Sequence, residues 1–382
     1  MMRKNPPAPI RSWASERLSD DVRRSLDRLA RSDDVRRIAV MPDVHLAREI
    51  CVGTAFATSQ LVYLDAIGGD IGCGMAAVAL DAFQSDIAPG AAARLLSAIR
   101  EVVPVQRQRV EAAQRLADLV PPADALSEPG LLTMATNEGP HQLGTLGTGN
   151  HFLELQCDED DRLWLMVHSG SRGIGQAIRA AHIARASRSR SGLKFLDASA
   201  PTGNAYVRDM QWARRFAAAS RRAMLAAVAG AASTQFGWSW LEETYFDCDH
   251  NHINVEDHFG ANCFVHRKGA IAAHREEPGI VPGSMAAPSF HVTGRGEAEA
   301  LRSSAHGAGR AMSREEARSR VGRRRLLQEL RDVYVDPRSA SGLREEAPSA
   351  YKDIHAVMKA QRKLVRIQRT LLPILTYKGV SK

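Results

Sequence analysis

Residues 303–310 read Ser-Ser-Ala-His-Gly-Ala-Gly-Arg, and in this run His306 stands among residues with almost no side chain. Small neighbours allow a large ligand to approach the backbone, and the two glycines can adopt dihedrals that other residues avoid. Exposed backbone N–H groups together with the guanidinium of Arg310 are typical of a phosphate site. A glycine-containing turn with a surface histidine explains the same run equally well, so the rest of the chain has to decide.

Composition indicates a globular protein with an anionic partner. The chain has 382 residues, of which 44% are hydrophobic and 25% charged, and its net charge is +8. An excess of arginine favours nucleic acid as the partner. Five scattered cysteines without a CxxC pair predict a reducing compartment, hence the cytoplasm, rather than a disulfide scaffold. We find no secretory signal and no apolar run long enough to cross a membrane, so no membrane partner is expected.

A glycine-rich passage at 68–74, Gly-Gly-Asp-Ile-Gly-Cys-Gly, is neither a helix nor an ordinary strand. Its glycines would let the backbone fold tightly enough to direct Asp70 and Cys73 at one point. A carboxylate and a thiolate can share a divalent metal, and a thiolate can bridge two ions. A tight turn with a buried cysteine is the alternative interpretation.

Histidines at strand ends recur along the chain. His151 follows a second glycine-rich run at 144–149, and His168 ends the apolar segment 163–167 before Ser-Gly-Ser-Arg. One such histidine would usually be structural, but the pattern appears again at His306. The segment 247–258 adds three more histidines among acidic and amide residues, although its spacing matches neither HExxH nor a zinc finger.

The pattern of elements predicts an α+β fold. We expect a single compact domain over 1–382, with a mixed β core around a central metal site and peripheral helices. Residues 176–236 are rich in alanine and arginine and predict a basic helical insertion, interrupted at Pro201–Asn204, that could contact a phosphate backbone. A solvated helical face explains any single arginine there at least as well.

Ten short blocks together resemble the RtcB family of RNA ligases, and they follow the family order across nearly the whole chain. These blocks are MPDVH (41–45), GGDIGCG (68–74), GTLGTGNHFLE (144–154), HSGSRG (168–173), HN (250–251), HRKGA (266–270), PGSM (282–285), SSAHGAGRAMSR (303–314), EEAPSAYKD (345–353) and KG (378–379). Residues 46–53 and Ala286 depart from the usual family pattern, which suggests a divergent branch.

The resemblance implies a site of two manganese ions and a guanylate. Asp70, Cys73 and His151 would hold one ion, and Cys73, His168 and His250 the other. His306 would be the catalytic nucleophile that takes GMP from GTP, and Arg172 and Arg310 would bind RNA phosphate. The residues around the nucleotide would be Asn150, His151, Phe152, Leu153, Glu154, His250, Asn251, Pro282, Gly283, Ser284, Met285, Ser289, His306, Gly307, Ala308, Gly309, Tyr351 and Lys378.

The implied reaction joins RNA 2′,3′-cyclic phosphate or 3′-phosphate ends to 5′-hydroxyl ends, in tRNA splicing or RNA repair. By softness alone the predicted ligands suit zinc better than manganese, so manganese is implied by the resemblance only. The resemblance leaves open whether the accessory protein archease is a partner. Two alternatives are a metal-dependent cyclic-phosphate hydrolase without ligation and a non-catalytic RNA-binding protein with a degenerate site.

Overall fold

A computed structural model describes residues 6–379. Its strands are β1 (Ile10–Ser12), β2 (Val35–His45), β3 (Val52–Thr58), β4 (Leu61–Tyr63), β5 (Gly74–Phe83), β6 (Phe152–Asp158), β7 (Arg162–Ser169), β8 (Ser187–Arg188), β9 (Lys194–Asp197), β10 (Phe246–Asp249), β11 (Asn251–His258), β12 (Ala261–Lys268), β13 (Ala270–Ala272), β14 (Pro278–Val281), β15 (Ser289–Gly294), β16 (Ser303–Ala305) and β17 (Val365–Lys378). Its helices are α1 (Asp20–Ala30), α2 (Leu64–Ile67), α3 (Ala91–Val102), α4 (Val110–Leu116), α5 (Pro129–Gln142), α6 (Arg172–Ile183), α7 (Pro201–Phe236), α8 (Arg314–Arg320), α9 (Arg323–Glu329), α10 (Ala340–Leu343) and α11 (Ile354–Ala360).

Two sheets form the β core. Seven antiparallel strands are ordered β10-β5-β7-β6-β17-β15-β14, and five strands are ordered β1-β2-β3-β12-β11. Because β10 and β11 follow each other directly, the chain passes at His250 from one sheet to the other. The predicted α+β fold, a single compact domain with a β core, is confirmed.

The 36-residue helix α7 is central to the packing rather than peripheral. It contacts β5, β7, α3 and α6, and its apolar side chains, among them Trp212, Phe216 and Met224, are buried. The predicted interruption at Pro201–Asn204 is wrong, because Pro201 occupies the first turn of α7, where its missing N–H costs nothing. Before α7, residues 184–200 hold the short strands β8 and β9 instead of continuous helix. That 176–236 is an insertion remains a prediction.

Two other predicted elements differ from the structure. The sequence over 313–333, which opens with the capping-box pattern Ser-Arg-Glu-Glu, predicts one helix. The helix begins as predicted, with the Ser313 hydroxyl accepting from the Glu316 N–H, but the segment divides at Gly322 into α8 and α9. The sequence introduced by 345–353 also predicts a last amphipathic helix through about Leu364. That helix, α11, ends at Ala360, and β17 then enters the seven-stranded sheet between β6 and β15.

Candidate active site

Five predicted metal ligands converge where the two sheets meet. Cys73 precedes β5, His151 precedes β6, His168 lies near the end of β7, and His250 joins β10 to β11. Within residues 6–379, Asp70, Cys73 and His151 form one group of ligand atoms and Cys73, His168 and His250 form another, each within 4.8 Å. The Cys73 Sγ lies 3.5 Å from His151 Nε2 and 3.2 Å from His168 Nε2. The Cys73 thiol therefore belongs to both groups of ligand atoms.

Backbone carbonyls orient the imidazoles. His151 Nδ1 donates to the Leu146 carbonyl at 3.0 Å, and His168 Nδ1 donates to the Asn150 carbonyl at 3.2 Å. Both rings consequently direct the lone pair of Nε2 into the site, which is the tautomer that a metal requires. The Nε2 atoms of His168 and His250 are only 3.3 Å apart.

Burial shifts the pKa values of the donor groups in this cluster. It lowers the pKa values of His168 and His250, so both imidazoles are neutral, and it raises the pKa of the Cys73 thiol. Burial opposes ionisation of Asp70 as well, yet the adjacent His151 holds the pKa of that carboxyl below its usual range. A buried thiol becomes a thiolate when a cation compensates its charge, so these residues fit a pair of divalent ions.

Gly170, which follows β7, allows the segment with Asp70 and Cys73 to pack closely against it. A Cβ on Gly170 would lie 2.2 Å from the Asp70 Oδ1 and 3.2 Å from the Cys73 Cα. Any larger residue there would displace the segment that carries Asp70 and Cys73. This contact explains why the HSGSRG block has a glycine at this position.

Arg221 of α7, which the sequence did not single out as a site residue, links the ligand-bearing segments. Its guanidinium donates to the Gly72 carbonyl at 2.7 Å and to the Ser169 carbonyl at 2.9 Å, each beside a predicted ligand. It also binds both carboxylate oxygens of Asp247, at 2.6 and 2.7 Å. The side chain is 1% exposed, so it acts as an internal clamp on three segments of the site.

His306 lies beside the ligand cluster and has a carboxylate partner. Its Nδ1 donates to Asp43 Oδ2 at 2.7 Å, and its backbone N–H donates to the same oxygen at 3.1 Å. This contact leaves Nε2 as the nitrogen with the lone pair, and the ring centroid lies 4.6 Å from that of His250. Asp43 is fully buried in β2 and was missed as a functional residue, although the MPDVH block that contains it was recognised.

A cavity of about 1100 Å³ opens from His306. It is lined by most of the residues predicted around the nucleotide: Asn150, Phe152, Glu154, Pro282, Gly283, Ser284, Met285, Ser289, His306, Gly307, Ala308, Gly309, Tyr351 and Lys378. His151, Leu153, His250 and Asn251 do not line it. The Asn251 amide instead donates to the carbonyls of Ile67 and Asp70, at 2.7 and 2.8 Å, and so supports the Asp70 loop.

Glu346 organises the polar wall of the cavity and was not predicted. Its carboxylate accepts from Arg310 at 3.1 Å, lies 3.4 Å from Lys378 Nζ, and also binds the Tyr351 hydroxyl. Burial opposes its ionisation, but Lys378 and the arginines hold the pKa of Glu346 below its usual range. The residue is 2% exposed. Because water screens this buried charge little, the carboxylate holds Arg310, Lys378 and Tyr351 in place.

The two arginines predicted to bind phosphate already make internal contacts. Arg310 lines the cavity but donates to Glu346 and to the Glu345 and Met312 carbonyls. Arg172, with φ of 57°, donates to Thr145 Oγ1 at 3.2 Å and to the Val105 carbonyl at 3.4 Å. Their role in binding RNA remains a prediction.

Comparison with known proteins identifies the family. A family profile described as tRNA-splicing ligase RtcB matches residues 26–379. The chain belongs to the RtcB family. It is 35% identical to the RNA-splicing ligase RtcB of Escherichia coli K12, covering 97% of this chain and 98% of that protein. The RNA-splicing ligase RtcB of Mycobacterium tuberculosis is 30% identical over 64% of this chain and 66% of its own.

A third relative is longer. The tRNA-splicing ligase RtcB of Pyrococcus furiosus is 31% identical over 71% of this chain but only 32% of its own length. In the described part of this RtcB family member, none of the helices is both long enough and apolar enough to span a bilayer.

Proposed function

We propose that this chain is a GTP- and manganese-dependent enzyme that joins RNA 2′,3′-cyclic phosphate or 3′-phosphate ends to 5′-hydroxyl ends through a histidine–GMP intermediate on His306. RNA ligation as the class of activity follows from membership in the RtcB family. The finer proposal is carried by one observation: His306, oriented by Asp43, lies between the metal-ligand cluster and a nucleotide-sized cavity.

The chemistry suits a neutral imidazole. The lone pair of His306 Nε2 would form a bond to the α-phosphorus of GTP while pyrophosphate leaves. The imidazole gains positive charge as that bond forms, and the Asp43 carboxylate at Nδ1 stabilises it, as a carboxylate does in a catalytic triad. GMP then passes to the RNA 3′-phosphate, and the 5′-hydroxyl attacks that activated phosphate and releases GMP.

Asp70, Cys73 and His151 would hold one ion, and Cys73, His168 and His250 the other. When bound, divalent cations neutralise phosphate charge, which is most of what phosphoryl transfer requires of a protein. The choice of manganese rests on the family resemblance, since the donor set by softness also suits zinc.

Incubation with α-labelled GTP and manganese tests the proposal. We expect a covalent label on the wild-type protein, no label on His306→Ala, and full labelling of His355→Ala, an exposed histidine outside the cavity. The labelled protein should then seal RNA with the stated ends. Opening of cyclic phosphate without any covalent label would contradict ligation and favour the hydrolase alternative.

The cell context is also a proposal. A bridging thiolate requires reduced Cys73, and all five cysteines are free, so we place the activity in the cytoplasm. Sequencing the RNA ends that accumulate when the protein is lost would distinguish tRNA splicing from repair. Archease as a partner is tested by whether adding it raises the turnover of ligation.

A further inference from the structure

A second cavity, of about 730 Å³, lies between α3, the 104–116 segment, α7 and the turn at 337–339. Its ionisable lining comprises five arginines and two glutamates: Arg100, Arg107, Arg109, Arg115, Arg338, Glu101 and Glu111. We call this cavity the arginine cleft. Its floor includes the small residues Ala223 and Ala227 of α7, and no aromatic side chain lines it.

Two arginines of the cleft have no ion-pair partner in the described residues. Arg100 and Arg338 pair with Asp336, and Arg107 pairs with Glu138. Arg109 and Arg115 are exposed and lie within 4 Å of no carboxylate in residues 6–379. Guanidinium groups without partners, held on a concave surface, are suited to phosphate because each presents a planar fork of N–H donors.

One loop connects the cleft to the active site. Gly144 lines the cleft, and Asn150, six residues further along the same loop, lines the cavity around His306. The loop is fastened to the cleft wall by hydrogen bonds from Leu146 N–H to the Pro104 carbonyl at 3.0 Å and from Gly147 N–H to the Val105 carbonyl at 2.8 Å. Six residues span at most about 20 Å, which is about six nucleotides of stacked strand at about 3.4 Å each.

We propose that the arginine cleft binds the phosphodiester backbone of the RNA strand whose end reacts at His306. The inference rests on the proposed function and extends it by assigning the path of the substrate. Since the lining offers guanidinium groups and no aromatic platform, contact would be to phosphates rather than to stacked bases, and binding would be independent of sequence. A cleft within reach of the reacting end adds affinity only for strands long enough to enter it.

The test compares Arg109→Ala/Arg115→Ala with the matched control Arg323→Ala/Arg324→Ala, which removes two exposed arginines of α9 outside both cavities. Binding of a 3′-phosphorylated single strand of about 12 nucleotides, which spans about 40 Å when stacked, is measured against salt concentration. We expect the cleft variant to lose affinity by about two- to thirtyfold, as for two exposed ion pairs. Its salt slope should fall by about 1.4, or about 0.7 per phosphate contact in a single strand.

Two further measurements separate this inference from the proposed function. Labelling of His306 by GTP requires no RNA and should be the same in both variants, which also shows that the variants fold. The KM for a dinucleotide 3′-phosphate, too short to occupy both sites, should be unchanged. Unaltered affinity for the long strand, with labelling intact, would overturn the inference and favour an acidic protein as the partner. Equal losses for long and short RNA would overturn it too. Failure of wild-type labelling would instead refute the proposed function.

Discussion

The contact between His306 and Asp43 predicts an unusual order of effects for two substitutions. Both N–H groups of His306 donate to a single oxygen, Asp43 Oδ2, whereas Oδ1 has no hydrogen-bond partner in the described residues. An asparagine can therefore place its carbonyl oxygen at the Oδ2 position and its NH₂ at the Oδ1 position. The tautomer of His306 is preserved in Asp43→Asn, and only the charge is lost.

The magnitudes follow from the kinds of hydrogen bond involved. Changing the charge-assisted bond at Nδ1 to a neutral one removes about 1–1.5 kcal/mol, which is about a tenfold loss in guanylylation rate. Asp43→Ala removes the whole bond, about 1.5–3 kcal/mol, which gives a loss of about 10- to 150-fold, and it also frees the proton to move to Nε2. The rate should thus fall in the order wild type, Asp43→Asn, Asp43→Ala.

Single-turnover labelling with α-labelled GTP measures these rates, and metal analysis provides the control. Neither variant should lose bound metal, because Asp43 belongs to neither ligand group. If Asp43→Asn is slower than Asp43→Ala, the amide has turned its NH₂ toward Nδ1, and the single-oxygen arrangement is refuted. Labelling at the wild-type rate in both variants would show that Asp43 does not position the nucleophile.

Substitutions at three other residues test the site. Cys73→Ser should lower metal content by more than one ion per protein in elemental analysis, because Cys73 belongs to both ligand groups; loss of a single ion would contradict bridging. Arg221→Met should destabilise the fold by about 3–5 kcal/mol in urea unfolding, since it leaves Asp247 without its buried partner. Arg221→Lys should restore part of that stability but not full metal affinity, because one ammonium cannot bind two carbonyls and both oxygens of a carboxylate together. Full recovery of stability and metal affinity would show that only the positive charge of Arg221 matters. Burial raises the pKa of Glu154 from its ordinary value of 4.5 to about 7, so the folded protein is destabilised increasingly as the pH rises between these values. Glu154→Gln should remove this loss, and its stability advantage over wild type should widen from pH 4.5 to 7 and then stay constant; an advantage independent of pH would contradict the shifted pKa.

The site residues that lie within short local motifs could be predicted from the sequence. Asp70 and Cys73 lie within one glycine-rich passage, and His151, His168 and His306 each adjoin small residues at a strand end. Such signals need only a few neighbouring residues to be visible. In the structure, Asp70, Cys73 and His151 lie together, as do Cys73, His168 and His250. That they hold metal ions remains a prediction.

Residues that act over long separations could not be found in this way. Asp43 lies 263 positions from His306, and Arg221 lies 149 positions from the Gly72 carbonyl it binds. In the sequence, Glu346 is one of several acidic residues in a polar segment, although only 2% of it is exposed in the folded chain. Asp43 reaches His306 through the packing of β2 beside β16, and Arg221 reaches the ligand segments through the packing of α7 on the sheet. No local periodicity encodes such contacts.

The arginine excess illustrates why charge counts mislead about binding surfaces. Arg214, Arg221 and Arg267 each form a two-point contact with a carboxylate, at Asp249, Asp247 and Glu256 respectively.

Asp247 and Asp249 flank His250, and Glu256 lies on the strand that follows it. These charges therefore fix the link between the sheets instead of meeting RNA. Since a buried pair contributes nothing to counterion release, the salt dependence of RNA binding should reflect the exposed, partnerless arginines rather than the net charge of +8.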